Sequence, residues 1–445
     1  MATAYLHKSI SNAGNQKKWT WSAWLKKSEF TGTDNGVFGF YENDQNYFRM
    51  RFRSDQQFQV DNYYSNSSTM NLIPNRHFND VSGFYHMVVT YDSAQATASN
   101  RVKIYVNGDQ ITSFSSETYP SQNTNTRLGN SGGSNIELGR TTNSQYFNGI
   151  FAHVHYCDGY AYAPTDFAET DTTTGTWKPK VSPSVSYGTN GFFFKFDNSG
   201  NMGLDSSGQS NNYTTSGTLI QNKDTPNNVF CTWNAGQSRP FDVVTFSNGN
   251  NTVTRSGSNW THASGTLAVS AGKYYWELKP TGTVTNNCFA GICSEAFQTS
   301  DVYRDSTPYN DTTGVILYFQ DGRKTVNGTD TNSFFSSYAA NDIIGVLLDL
   351  DSATKTVTFY KNGSISGSAV NLPTNMQTGF IHPVVMFNGS SNVMAWNANF
   401  GNGYFGTTAV TSAQNPDDGN GIFEYDVPAN YRAICTKSIN AEEYS

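Results

Sequence analysis

The sequence predicts an all-β protein made of two antiparallel β-sandwich domains joined by an ordered connector. Short segments alternate apolar and polar residues with a period of two, as in Val102–Val106, which is typical of half-buried strands. Helical periodicity is nearly absent, with one modest candidate turn at Pro164–Phe167. Asn and Gly tolerate the positive φ that two-residue hairpin turns require. Such pairs separate the segments at Asn35-Gly36, Asn107-Gly108, Asn148-Gly149, Asp158-Gly159, Asp321-Gly322, Asn327-Gly328 and Asn362-Gly363.

Composition excludes several classes of protein. The 445 residues carry 28 Lys and Arg against 35 Asp and Glu, a formal charge of −7, which disfavours nucleic-acid binding. Aromatic residues make up 14% of the chain, which argues against disorder. No apolar run approaches the roughly 20 residues that a membrane-spanning helix needs, so no membrane insertion is expected. The first residues show no signal peptide, and the five scattered cysteines predict free buried thiols, so we expect synthesis in a cytoplasm.

A long-range repeat supports two related domains. His86 to Asp92 followed by Val102 to Gly108 has the same pattern as Ile344 to Asp351 followed by Val357 to Gly363. In both, an apolar strand ends in Asp, and a second strand closes with an aromatic residue, any residue, Asn and Gly. We predict one sandwich over 1–180, an extended connector with one or two strands over 181–240, and a second sandwich over 241–445.

Three tryptophans mark the first sandwich. Trp19 and Trp21 share one face of a strand and are expected in the core, whereas Trp24 lies on the opposite face.

Several segments resemble known families. Tyr5 to Lys26, with Trp19-Thr20-Trp21-Ser22, and the stretch from Phe151 to Pro179 resemble laminin-G-like (concanavalin-A-like, jelly-roll) domains of bacteriophage tail-fibre and appendage proteins. Gly272 to Glu277, Asp342 to Asp351 and Thr358 to Gly363 resemble a SPRY-type sandwich.

The resemblance implies a non-enzymatic virion protein, a tail fibre or appendage that recognises a host-surface glycan. Its expected partners are other virion proteins, host cell-surface polysaccharide and copies of itself, most often as a trimer. It would be located in the virion after synthesis in the host cytoplasm. Two alternatives remain: a head decoration or structural adaptor without sugar binding, and a depolymerase tailspike.

Aromatic, polar loops are the candidate glycan sites, because sugars stack on aromatic rings and hydrogen-bond to polar groups. The candidates are Tyr63 and Tyr64 in one loop, and Tyr303, Arg304, Asp305 and Tyr309 in another.

Catalytic and metal-binding signals are weak. Glu169-Thr170-Asp171 lacks the second glutamate of the Glu-x-Asp-x-x-Glu pattern, so no catalytic residue is assigned. No cofactor is expected, apart from a possible calcium ion near Asp197 and Asp205, whose loop also holds Asn211 and Asn212. His153 and His155 alternate on one strand, and we interpret them as surface histidines in the absence of a third ligand.

Overall fold

A computed structural model describes residues 3–28, 30, 32–131, 133–237, 244–255, 260–285, 287–299, 308–387 and 393–443. These residues form two compact units, unit 1 (Met1–Gln221) and unit 2 (Asn222–Ser445), and antiparallel strands dominate both. The predicted all-β class with two β-sandwiches is confirmed.

Among its described residues, unit 1 has one α-helix, the short α1 (Pro164–Phe167), where the sequence predicts a turn. Its strands are β1 (Tyr5–Ser9), β2 (Lys18–Lys27), β3 (Asn35–Asn43), β4 (Asn46–Phe52), β5 (Phe58–Tyr64), β6 (Ser67–Pro74), β7 (Tyr85–Asp92), β8 (Val102–Val106), β9 (Asp109–Gln110), β10 (Phe114–Thr118), β11 (Asn135–Leu138), β12 (Arg140–Thr141), β13 (Gln145–Tyr146), β14 (Gly149–Asp158), β15 (Ala168–Thr170), β16 (Trp177–Pro179), β17 (Phe192–Phe194) and β18 (Thr214–Ser216).

Two sheets enclose the core of unit 1. Sheet A has the strand order β10-β6-β5-β4-β3-β11-β1-β18, and sheet B has the order β17-β14-β2-β7-β8-β9. Side chains alternate along each strand, so one face of each sheet supplies the core. Trp19 and Trp21 of β2 are fully buried there with Phe48 and Met50 of β4. Trp24 lies on the other face of β2, as expected.

The outer face of sheet B is covered by the segment that contains α1 and the β15–β16 hairpin. Trp24 packs there against Ala168 and Trp177. A neighbouring apolar cluster joins Phe167 to Phe193. Unit 1 therefore has a second, smaller apolar layer outside sheet B, which fixes the segment that follows β14.

Unit 2 contains α2 (Glu295–Thr299) and α3 (Thr436–Glu443), which the sequence did not suggest. Its strands are β19 (Val244–Ser247), β20 (Thr252–Arg255), β21 (Thr261–Ser264), β22 (Lys273–Gly282), β23 (Cys288–Ser294), β24 (Val315–Phe319), β25 (Lys324–Val326), β26 (Thr329–Thr331), β27 (Ile344–Asp349), β28 (Thr356–Lys361), β29 (Ser364–Asn371), β30 (Ile381–Phe387), β31 (Met394–Asn399), β32 (Tyr404–Phe405), β33 (Thr408–Ala409) and β34 (Arg432–Ala433).

Sheets C and D form the sandwich of unit 2. Sheet C has the order β19-β20-β31-β22-β27-β28-β29, with β34 parallel to β22, and sheet D has the order β21-β30-β23-β24-β25-β26. Tyr318 of sheet D contacts Phe359 of sheet C across the core, with ring centroids 5.5 Å apart.

The sequence repeat corresponds to the same hairpin in both units. β7 pairs with β8, and β27 pairs with β28. Asn107 and Asn362 follow the second strands with φ of 52° and 50°. Their side-chain oxygens accept hydrogen bonds from the backbone N–H groups of His86 and Ile343, each at 2.8 Å. The Asn therefore ends the hairpin and ties it to the start of the preceding strand.

Two of the predicted turn pairs begin strands instead. Asn35 and Gly36 are the first two residues of β3. Asn148 precedes β14, and Gly149 is its first residue. Close packing explains these glycines, because a Cβ at residue 36 would lie 2.6 Å from the backbone nitrogen of Thr141. A Cβ at residue 149 would lie 2.6 Å from the ring of Phe147.

The residues predicted as connector belong to both units. β17 pairs with β14 and β18 pairs with β1, so residues up to 221 complete the sheets of unit 1. Phe230 bridges to Cys435 in unit 2. The predicted domain limits at 180 and 240 stay predictions.

Candidate functional site

The outer face of sheet A carries a polar row that crosses neighbouring strands in register. Asn71 lies opposite Asp61, Asp61 opposite Arg49, Arg49 opposite Gly39, and Gly39 opposite Glu137. Directly paired residues point to the same face of a sheet. Met50 and Phe48, which flank Arg49, point into the core, so this row lies on the opposite side.

A second row on this face consists of tyrosines. Tyr41 lies opposite Tyr47, and Tyr47 lies opposite Tyr63. The rings of Tyr47 and Tyr63 are stacked, with centroids 5.1 Å apart and planes 10° apart. Burial raises the pKa of Tyr47 to about 12. The next residue in the row is Ser68, which is exposed, and Tyr63 itself is partly exposed.

Arginines and carboxylates pair on the same face. Arg49 Nε donates to both carboxylate oxygens of Asp61, at 2.8 and 3.1 Å. Burial raises the pKa of Asp61, which is 3% exposed, and the charge of Arg49 opposes this shift. The guanidinium of Arg49 also lies 4.8 Å from the Tyr47 ring centroid, a cation–π contact.

Two more pairs extend this pattern. Arg51 binds Asp34 and donates from Nε to Gln59 at 2.8 Å. Arg140 binds Glu137, with Nε 2.8 Å from Oε2. Each of the three arginines therefore has its own carboxylate, and the face is polar but close to neutral. We refer to Tyr47, Arg49, Asp61, Tyr63 and Asn71 as the Tyr–Arg face.

A polar cleft of about 520 Å³ adjoins the Tyr–Arg face at Asp34. Its walls are the residues before β3, the turn after β4, and the β12–β13 hairpin. Gly36 allows that hairpin to lie against β3, since any side chain there would collide with the hairpin backbone. The lining residues are Thr3, Gly32, Thr33, Asp34, Asn35, Ser54, Ser144, Gln145, Tyr146 and Asn148.

The structure separates the two tyrosines that the sequence placed in one site. Tyr63 joins the stack on the outer face, whereas Tyr64 lies beside Arg127, whose guanidinium is 5.3 Å from the Tyr64 ring and 5.8 Å from the ring of core residue Phe40. Tyr64 is 52% exposed. The alternation of side chains along β5 is the physical reason, because adjacent residues point to opposite faces.

The second predicted glycan loop is only partly described. Tyr303, Arg304 and Asp305 lie outside the described residues. Tyr309 is half-buried in a short 3-10 turn, and its ring packs against Trp260 at 4.9 Å and Phe289 at 5.7 Å. Tyr309 therefore belongs to an aromatic cluster on sheet D.

The predicted calcium loop is held together by its own hydrogen bonds. Asp205 Oδ1 accepts from the backbone of Phe193 at 2.9 Å, and Oδ2 accepts from the backbone of Asn211 at 2.8 Å. Ser207 donates to both oxygens. Asp197 is exposed. Across the described ranges, no group of three or more His, Cys, Asp and Glu side chains is placed to hold a metal ion.

A buried Ser–His contact lies under the cover of sheet B. Trp177 Nε1 donates to His86 Nδ1 at 3.1 Å, so the proton is on Nε2, which donates to Ser22 Oγ at 2.9 Å. Burial lowers the pKa of His86 to about 3. This histidine donates to the serine and is fully buried, so the pair is suited to packing and not to nucleophilic attack.

His153 occupies a β-bulge of β14 with φ of 45°, where the register with β2 shifts. Burial lowers its pKa to about 4. His155 is fully enclosed and contacts the hydroxyl of Tyr187 at 2.9 Å. The two histidines are therefore packed within unit 1 and do not lie on an open sheet surface as interpreted from the sequence.

Sequence reasoning missed most of the Tyr–Arg face. The available signal was the alternation of Tyr47, Arg49 and Arg51 on one strand and of Gln59, Asp61 and Tyr63 on the next. Both runs place polar and aromatic residues at every second position, and the residues between them are apolar except for Asn62.

Comparisons with known proteins identify both domains. Residues 3–166 match the family model described as the concanavalin A-like lectin/glucanases superfamily, and residues 273–400 match that of the SPRY domain. The chain thus carries a laminin G-like, concanavalin A-like domain followed by a SPRY domain, as the sequence indicated. A search of curated proteins found no match.

Similar solved structures include the SPRY domain of human HERC1, at 18% identity, a TM-score of 0.29, and coverage of 37% of this chain and 96% of that one. The TRIM65 PSpry domain shows 14% identity and a TM-score of 0.29, and the match covers 38% of this chain and 88% of that one. Stonustoxin shows 12% identity and a TM-score of 0.27, and the match covers 38% of this chain and 28% of that one. None of these bears on the predicted bacteriophage origin.

Within the described part of the chain, no helix is both long and apolar enough to span a membrane.

Proposed function

We propose that this protein recognises a host-surface glycan without hydrolysing it, through the Tyr–Arg face of its concanavalin A-like domain. The observation that carries the proposal is the stacked Tyr47–Tyr63 pair beside the Arg49–Asp61 ion pair, on the outer face of sheet A. A sugar ring offers an apolar face for stacking and hydroxyl groups for hydrogen bonds, and this surface offers both complements.

Each side chain of the Tyr–Arg face has a role in this proposal. The far face of Tyr63 is the stacking surface, because its other face is occupied by Tyr47. Asn71 and Arg49 lie in the neighbouring row and supply donors and acceptors for hydroxyl groups. Their positions are fixed by sheet pairing and by the Arg49–Asp61 bond, so little conformational entropy is lost when a ligand binds.

The carboxylates of this face support binding without catalysis. Glycoside hydrolysis uses one carboxylic acid as proton donor and a second carboxylate as nucleophile or base. Asp61, Asp34 and Glu137 each bind an arginine instead. Each of these three carboxylates is therefore already engaged by a guanidinium group.

The virion location of the proposal rests on the resemblance of the segments around Trp19 and His153 to phage appendage proteins. Many copies on one particle would convert weak single contacts into avid attachment. A homo-oligomer, most often a trimer in such proteins, would supply that multivalency.

A structural adaptor in the virion is the second candidate, and one observation favours it. Edge strand β29 of sheet C contains no charged residue, and its Ile365 is 62% exposed. Charged side chains commonly protect edge strands from pairing with other chains, so an uncharged edge suits contact with another protein.

A glycan array with the purified protein, its Tyr63→Ala variant and its Tyr160→Ala variant tests the proposal. Tyr160 is a matched control, because it is 41% exposed and stacks on Tyr162 within the same unit, outside the Tyr–Arg face. We expect wild type and Tyr160→Ala to bind the same glycans and Tyr63→Ala to lose them. Absence of glycan binding by the folded wild type would contradict the proposal and favour the adaptor role.

Release of new reducing ends from a bound polysaccharide would contradict the non-catalytic part of the proposal.

A further inference from the structure

We infer that the polar cleft beside Asp34 is a second saccharide subsite, continuous with the Tyr–Arg face, and that the ligand is an uncharged oligosaccharide longer than a single sugar. This inference rests on the proposed function and specifies its substrate class. The cleft volume of about 520 Å³ lies within the range of small-molecule sites.

The lining of the cleft selects a polyhydroxylated ligand. Hydroxyl groups of Thr33 and Ser54, amides of Asn35 and Gln145, and the phenol of Tyr146 surround it. Hydroxyl, amide and phenol groups can each donate and accept hydrogen bonds, as the hydroxyl groups of a sugar do. Tyr146 supplies a ring for stacking.

The charge balance selects a neutral ligand. Asp34 is the ionisable acid of the lining, and Arg51 binds its Oδ2 while the backbone of Ser54 donates to Oδ1 at 3.0 Å. Gln145 Nε2 also donates to Oδ2, at 3.2 Å. The carboxylate is therefore neutralised within the protein, and the described lining residues offer no unpaired charge for an acidic sugar.

Arg51 connects the cleft to the Tyr–Arg face. Its Nη1 binds Asp34 in the cleft wall, and its Nε binds Gln59 on the face of sheet A. Tyr47, Arg49 and Arg51 follow one another at every second position of β4. At about 3.3 Å per residue, Tyr47 and Arg51 are separated by about 13 Å. A ligand that contacts both the Tyr63 ring and the cleft must therefore extend along β4.

Blocking the cleft at an exposed position tests the inference. Ser144 lines the cleft at the exposed end of the β12–β13 hairpin, so Ser144→Trp fills the space without replacing a buried side chain. Ser144→Ala keeps the cleft open and is the paired control. Ser99→Trp adds the same side chain at an exposed position of the same unit, in the turn before β8.

The measurement is the affinity of each variant for oligosaccharides of increasing length derived from laminarin, dextran and alginate. The glycans that the array identifies are measured in the same way. We expect wild type to bind neutral chains increasingly tightly with length, and alginate chains no better than their monomers. Ser144→Trp should weaken binding of the longer neutral chains by about tenfold while sparing monosaccharides. Ser144→Ala and Ser99→Trp should match wild type.

The outcomes separate the inference from the proposed function. Glycan binding that is lost in Tyr63→Ala but unchanged by Ser144→Trp and by ligand length would overturn the second subsite and leave the proposed function intact. A preference for acidic glycans would overturn the neutral ligand class. No binding to any glycan by the folded wild type would overturn both.

Discussion

Glu277 gives unit 2 a pH dependence of stability that can be worked out from the structure. It lies in the middle of β22 and is fully buried. Its Oε1 accepts from the hydroxyl of Tyr275 at 3.0 Å and from the backbone of Tyr425 at 2.9 Å. Its Oε2 accepts from Asn399 Nδ2 at 3.1 Å and from the backbone of Glu424 at 2.9 Å. Burial raises the pKa of Glu277 from 4.5 to about 7, and these four donors limit the rise.

The sign of the effect follows from proton linkage. Between pH 4.5 and 7 the folded protein keeps the proton on Glu277, whereas the unfolded chain has released it. The folded state therefore binds more protons, and the free energy of unfolding falls as pH rises through this window. Each pH unit corresponds to about 1.4 kcal/mol, so the total loss of stability is about 3 kcal/mol.

Hydrogen exchange with mass spectrometry measures this in the full chain. The observable is the free energy of opening for amides of β22 and of residues 423–427, corrected for the intrinsic pH dependence of exchange. We expect a decrease of about 3 kcal/mol from pH 4.5 to pH 8, and a nearly flat profile in Glu277→Gln. Asp426→Asn, a change at an exposed carboxylate in the same segment, should reproduce the wild-type slope. A flat or rising wild-type profile would refute the reasoning, because the four donors would then outweigh burial.

Three further predictions concern unit 1. Burial lowers the pKa of His86 from 6.5 to about 3, so below pH 6.5 the unfolded chain binds a proton at this residue that the folded protein does not bind. The free energy of unfolding of unit 1 should therefore decrease as pH falls below 6.5. An unchanged free energy of opening for β7 amides between pH 7 and pH 4 would contradict this prediction. Arg49→Ala leaves Asp61 buried without its partner and should lower the free energy of unfolding by about 3 kcal/mol in denaturant titrations; a change below about 0.5 kcal/mol would show that the pair is not buried as described. Gly36→Ala should lower the free energy of unfolding by about 1–3 kcal/mol, because its Cβ would press on the backbone of Thr141. Gly32→Ala, whose Cβ meets nothing within 4 Å, is the matched control, and equal stability of the two variants would be the contrary result.

Local patterns were enough to predict the all-β class, some individual strands and several turns. Val102–Val106 alternates and is a strand, and Asn107 and Asn362 end equivalent hairpins. The opposite facing of Trp21 and Trp24 follows from the same period of two. These features depend on neighbouring residues along the chain, which is why they can be read from it.

Features that depend on distant contacts could not be predicted in this way. Asn35-Gly36 has the composition of a turn, yet Gly36 lies in a strand because a distant hairpin packs against it. The aromatic, polar composition of their segment placed Tyr63 and Tyr64 in one predicted glycan site. The alternation of side chains along β5 puts the two rings on opposite faces of the sheet. Neither α2 nor α3 carries a clear periodic signal over its short length.

The candidate site shows the same division. Tyr63 was named from its aromatic, polar surroundings. Tyr47, Arg49 and Asp61 became recognisable as its neighbours only when the registers of β3, β4, β5 and β6 were known. A constellation built across strands has no fixed spacing in the sequence, because loop lengths between strands are variable.

The most direct test of the central claim is a crystal structure of the protein with the tightest-binding glycan from the array. The account predicts a sugar ring stacked on the far face of Tyr63, with hydroxyl groups hydrogen-bonded to Arg49 or Asn71, on the outer face of sheet A. A glycan bound to unit 2, or elsewhere on unit 1 with the Tyr–Arg face unoccupied, would contradict it.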